Sequence, residues 1–260
     1  MPSSSPMNPP NQTRVEEVSN VSQLSVSTRA DSLPATPAYK TALLGALFTV
    51  LTLFGGMLAG VAIGLVFQNL PGHSLPSALS ITLGVIPAIL GLVAGGAAWG
   101  VAMMGRLARA KDLRRMALAG SLGFAPVTIL LAIGLLTLEP IAVEKFGAQL
   151  PIHRVFTLFF VPAAFIIAGV SAFAMGRGLN DRALAVMLLW RVGLAAALAF
   201  LAVNLAMEAA GWIVGAPGAA ERATMLVVMF VGNLGAALAG GAVMGSTLAS
   251  ALRSGSSVVD

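Results

Sequence analysis

"TALLGALFTVLTLFGGMLAGVAIGLVF", residues 41–67, carries no Asp, Glu, Lys or Arg over 27 consecutive positions. An α-helix rises about 1.5 Å per residue and a bilayer's hydrocarbon core is about 30 Å thick, so about 20 apolar residues suffice to cross it. Apolar runs of similar length recur to the end of the chain, separated by short polar segments. The composition agrees: 57% of the 260 residues are hydrophobic and 10% charged, against about 25% charged in an ordinary soluble domain. The mean hydropathy is +0.91. These features predict an all-α, polytopic integral membrane protein. A transmembrane β-barrel would need strands of about 10 residues alternating in polarity, the opposite of these unbroken runs.

Turn signals and charged loops divide the apolar sequence into six predicted spans, at 40–67, 78–105, 116–138, 153–176, 184–213 and 223–249. Pro71-Gly72 marks the first loop, "RLARAKDLRR" the second, and Glu139-Pro140 ends the third span. The domain plan is a tail at 1–38, a transmembrane domain at 39–252 and a short tail at 253–260. The first tail is rich in Ser, Pro, Thr and Asn and lacks the basic and apolar regions of a secretory signal, so it is expected to be disordered. Pro87, Pro126 and Pro162 fall inside spans, where kinks are expected.

Ten basic residues flank the spans on one side: Lys40, Arg106, Arg109, Lys111, Arg114, Arg115, Arg177, Arg182, Arg191 and Arg253. Three flank them on the other, Lys145, Arg154 and Arg222. This asymmetry predicts that the basic side and both termini are cytoplasmic, with a bacterial inner membrane as the setting. It also accounts for the pI of about 10.7 without any nucleic acid. The basic loop formed by Arg106, Arg109, Lys111, Arg114 and Arg115 serves as a topological anchor, and could also meet anionic lipid or an acidic partner. The sequons at Asn11 and Asn20 would lie in a cytoplasmic tail, out of reach of glycosylation.

A Met-Gly pair stands near the end of every second span, at Met104-Gly105, Met175-Gly176 and Met244-Gly245. The pairs are spaced by 71 and 69 residues. A second column follows it: Glu139 and Glu208 near the outer ends of the third and fifth spans, Arg154 and Arg222 opening the fourth and sixth. Three related hairpins, at about 39–105, 106–176 and 177–252, are the expectation, with the first fitting least well. In this reading the glycines end the helices by turning left-handed, and the cation that follows the first two lies at the membrane surface.

Glycines also repeat at helical spacing. Gly56, Gly60 and Gly64 share one face of the first span; Gly91 with Gly95, and Gly96 with Gly100, mark the second; Gly241 with Gly245 marks the sixth. Such seams let helix backbones approach closely, either within one chain or against another subunit or copy.

Chemistry-bearing residues are few. The chain has no cysteine, which removes disulfides, thiolate metal sites and thiol nucleophiles. No HExxH, P-loop or intramembrane aspartate pair is present. Ser121 sits between glycines in "AGSLGF", but no His lies at its depth to act as a base. His73 and His153 fall at the outer surface, where a pigment or haem could be held only peripherally. No cofactor and no metal are expected. Asn204, Glu208 and Asn233 are the notable polar groups within spans. They read either as walls of an outward-opening polar cavity, with Glu139, Arg154 or Arg222 in outer charge pairs, or as interhelical links beside an interfacial ion pair.

Two functions follow as expectations. One is a non-enzymatic accessory or scaffold subunit of a larger membrane complex, with the bilayer and other subunits or its own copies as partners. The other is a small-solute permease or channel, which repeated hairpins favour.

Overall fold

The computed structural model describes residues 38–68, 77–107, 112–146, 152–212 and 219–255. Residues 1–37 and 256–260 of the two tails, the loop bearing His73, and Arg109 and Lys111 of the basic loop lie outside the described residues, as do the side chains of Glu139, Arg222 and Arg253. Among the described residues the protein is all-helical, and six helices are long and apolar enough to cross a membrane. Helix α1 comprises Ala38–Thr49, a π-helical stretch Val50–Phe54 and Gly55–Gln68. It is followed by α2 (Ser77–Arg106), α3 (Leu113–Phe146), α4 (Ile152–Gly178), α5 (Arg182–Ala209) and α6 (Ala219–Gly255).

The predicted spans agree with these helices to within a few residues at most ends. The third runs further than predicted, through Pro140 to Phe146. Proline removes one backbone donor but need not end a helix that neighbouring structure holds. The fifth stops at Ala209, earlier than predicted, because Gly211 adopts φ +71°. There Trp212 N–H reaches Met207 O and Gly211 N–H reaches Glu208 O, both at 3.0 Å, the paired bonds of a Schellman cap.

Each helix packs on its neighbours in sequence, and α1 also packs on α6, so the six helices close into a ring. Small residues set the contacts. A Cβ at Gly56 would collide with Gly91 and Gly95 of α2, one at Gly96 or Gly100 with α3 at Gly120 and Met116, and one at Gly241 or Gly245 with Thr49, Gly45 and Thr41 of α1. Gly60 meets Pro87 and Ala88 in the same way, and Gly64 is buried. The predicted seam glycines other than Gly64 are therefore internal helix contacts. Helix α1 changes partner along its length: Gly45, before the π-helical stretch, faces α6, whereas Gly56 and Gly60, after it, face α2.

The Met-Gly pairs do not cap helices, and the reading that their glycines turn left-handed is corrected. Their helices continue to Arg106, Gly178 and Gly255. After α4 the left-handed residue is Asn180, at φ 63°, with Asp181 N–H bonded to Gly176 O at 3.3 Å. The pairs instead pack the basic end of the ring. Gly105 faces Leu113 at the start of α3, Gly176 faces Ala185 near the start of α5, and Gly245 faces Thr41 near the start of α1. Met104, Met175 and Met244 are each 0% exposed and lie in one cluster with Trp99, Met103, Met116, Leu188 and Leu248. Methionine's flexible thioether suits the converging ends of several helices, where gaps are irregular.

Candidate functional site

Away from the methionine layer the ring lines a partly open cavity of about 710 Å³, within the ~300–1,000 Å³ range usual for small-molecule sites. All six helices contribute to its wall, among them Leu53 and Met57 of α1, Trp99 of α2, Phe124 and Leu131 of α3, Phe160 and Ile167 of α4, Val192 of α5 and Met229 of α6. Phe54 and Phe230 meet edge to face across the α1–α6 side, their centroids 5.5 Å apart. Both line the cavity, and Phe230 is exposed, so the cavity communicates with the surface there.

Polar side chains on the wall are bonded within the protein, some to carbonyls of their own helix and some across to a neighbouring one. Trp99 Nε1 donates to Thr49 Oγ1 at 3.0 Å, and Thr49 donates to Gly45 O at 2.8 Å. Thr128 donates to Phe124 O, and Ser171 to Ile167 O and Gly123 O. Asn233 donates to Met229 O at 2.8 Å. These bonds engage the hydroxyl hydrogens and one Asn233 N–H, and the rest of the wall is aliphatic and aromatic, so the cavity is predominantly apolar.

The three polar residues singled out from sequence occupy different surroundings. Asn233 lines the central cavity. Glu208 sits at the far end of the ring, bonded by Arg154 Nε at 3.0 Å and by the Arg154 terminal amine at 2.5 Å. Arg154 thus finds its acid on α5, and His153 Nε2 lies 3.7 Å from the same Glu208 oxygen. Asn204 is 4% exposed and bonds through its amide nitrogen to Phe200 O at 2.8 Å. Its Oδ1, like His153 Nε2, is buried with no hydrogen-bond partner among the described residues. Asn204 and His153 face each other's surroundings in a second, much smaller pocket of about 10 Å³, whose other lining includes Phe156, Phe160 and Met229. Those three residues also line the central cavity, so the small pocket adjoins the far end of the large one.

Sequence reasoning passed over Trp99 and undervalued His153. The available signals were a lone tryptophan deep in a span, and a histidine beside the arginine that opens the next one. Ser121 has a structural role, donating across to Val93 O of α2 at 3.0 Å. At the basic end, Asp112 and Asp181 bond the N–H groups of Arg115 and Leu184 and so cap α3 and α5. They stand 69 residues apart, the spacing of the hairpins. Arg106 lies over the Phe48 ring at 6.0 Å, and Arg115 reaches Asn180. Among the described residues no group of three or more His, Asp or Glu could hold a metal ion. In comparisons with known proteins, no family model matches the chain, and neither a curated protein nor a solved structure is significantly similar to it.

Proposed function

We propose that this chain is a non-enzymatic, multi-spanning membrane protein that holds a lipophilic molecule at the centre of its helix ring. The carrying observation is the central cavity of about 710 Å³ with its hydrocarbon wall. The cavity opens to the surface beside Phe230, and its wall of aliphatic and aromatic side chains with few polar groups suits an apolar occupant better than ordered water.

This reading gives content to the accessory-subunit role expected from the sequence: the protein keeps a lipophile in place within a membrane assembly. The methionine layer closes the basic end, which fits a holder better than a through-channel. The excess of basic residues at that end supports placing it, with both termini, in the cytoplasm of a bacterial inner membrane. The equivalent packing of Met104, Met175 and Met244 supports three related hairpins.

The test is purification in mild detergent, followed by native mass spectrometry and by mass spectrometry of an organic extract of the denatured protein. One lipophile retained per chain is the expected result, and co-purifying membrane subunits would add the assembly. A protein that carries no lipophile in any mild detergent overturns the reading.

A further inference from the structure

The central cavity reaches the protein surface beside Phe230, and the helix contacts show why the ring parts there. Toward the basic end α1 and α6 meet backbone to backbone, Gly45 against Gly241 and Gly245. Past the π-helical stretch Val50–Phe54 the two helices turn their glycine faces away from each other. Gly56 and Gly60 press on α2, while Gly232 and Gly235 press on Phe200 and Val203 of α5. Between α1 and α6 the contact at that level is one of side chains, the edge-to-face pair of Phe54 and Phe230. The second half of α1 is held along one face: Gly60 and Gly64 are buried, whereas Leu58, Val61 and Ile63 are exposed. Counted from Lys40 at the basic surface, Phe54 lies about 20 Å along the helix. In a hydrocarbon core of about 30 Å, the gap therefore opens among lipid tails, in the half away from the basic end.

We infer that the central cavity is filled sideways from the bilayer: one acyl chain of a phospholipid enters between the second half of α1 and α6, past Phe54 and Phe230, while its headgroup stays outside at the membrane surface. This rests on the reading that the cavity holds a lipophile, and it names the lipophile and its route. Among the described residues no Asp, Glu, Lys, Arg or His lines the cavity. A charged headgroup would find no counter-charge there and would be costly to bury, whereas an acyl chain brings no polar group to desolvate. The chain is also already present at the opening, since the gap faces lipid tails. Two aromatic side chains can part by changing rotamer, with no helix displaced. The backbone contacts at Gly45 and Gly241 have no such freedom, so entry belongs to the half that the Phe pair closes.

Trp99 is the reporter, because it lines the cavity and is 3% exposed, whereas Trp190 and Trp212 are exposed and can be replaced by Phe. The full chain is placed in nanodiscs of phosphatidylcholine whose acyl chains carry bromine, a quencher that acts near contact. Trp99 should lose most of its emission there relative to unbrominated lipid, and iodide in the water should leave it unchanged. Ala132→Phe, and independently Ala237→Phe, put a ring into the cavity and should restore the emission. Phe230→Cys carrying a benzyl disulfide adduct, attached before reconstitution, should restore it as well. The same adduct on Leu130→Cys should not, because Leu130 is exposed on α3 and is no part of the cavity wall. Quenching that survives both ring substitutions reaches Trp99 through the helix wall and overturns the inference, as does an adduct at position 230 without effect. No quenching in the parent overturns it too, and the organic extract then separates two cases. A lipophile found in the extract leaves the lipophile-binding reading standing on a molecule other than a phospholipid, and none brings both down. Quenching by iodide would mark a watery cavity and overturn both.

Discussion

Trp99 donates its indole N–H to the Thr49 hydroxyl at 3.0 Å, and Thr49 passes a bond to Gly45 O at 2.8 Å. This relay joins α2 to α1 at the floor of the central cavity, one residue before the π-helical stretch begins. Thr49→Val keeps the shape but leaves a buried indole donor unpaired, and should cost about 1–3 kcal/mol. Thr49→Ser should restore most of it. Equilibrium unfolding in detergent, with Trp99 fluorescence as readout, checks both.

Glycine substitutions should divide by position. A Cβ at Gly100 would meet the Met116 carbonyl, and one at Gly245 the Thr41 carbonyl, backbone against backbone. Ala at either site should destabilise by about 1–3 kcal/mol, as overpacking does. At Gly55 and Gly134 a Cβ meets nothing within 4 Å. There Ala should be neutral or should stabilise by up to about 1 kcal/mol through helix propensity. Thermal aggregation profiles of the four variants in one detergent would show the split.

The Arg154–Glu208 contact predicts charge-swap behaviour. Arg154→Glu alone places two acids together at the far end and should lower thermal stability, whereas Arg154→Glu with Glu208→Arg should recover it. The effect should shrink at high salt, because Arg154 is 55% exposed and rim charges are screened. A double variant no better than the single one would mean that the pair does not link α4 to α5.

Orientation in the membrane can be read directly, because the chain has no cysteine. Ala183 and Ala210 are exposed near opposite ends of α5. A single cysteine at Ala210 should react with a membrane-impermeant maleimide in intact cells. One at Ala183 should react only after permeabilisation. The reverse pattern would place the basic end outside and break the positive-inside expectation.

The spans were legible because length and apolarity are properties of a segment alone, and the basic asymmetry was legible because it is a matter of counting. The Met-Gly spacing was legible too, but its meaning was not. A left-handed glycine is a local property, whereas Gly176 is held by the backbone of Ala185 on the next helix, a contact no local rule supplies. The seams on Gly56, Gly91 and Gly95 were visible as small-residue faces, yet their pairing, and the part played by Gly45 and Gly120, depends on ring topology. The cavity was invisible for a different reason. Its wall uses the same Leu, Ile, Phe and Ala that face lipid elsewhere, so nothing in residue type separates an inner surface from an outer one. Asn204 stood out as polar, but the distinction between its bonded nitrogen and its unpartnered oxygen exists only in three dimensions.

Because α1 meets α6 through Gly45 and Gly241 but meets α2 through Gly56 and Gly91, the first helix belongs to both ends of the amino-acid sequence. As spans emerge from the ribosome in order, α1 can dock its later half on α2 at once, while the face around Gly45 stays bare until the last span has been made. Ring closure is then the final step of assembly, and it carries the largest loop-closure entropy of any helix contact in the protein. A membrane lipid is the natural temporary cover for that face, to be displaced when the sixth span arrives and the ring shuts.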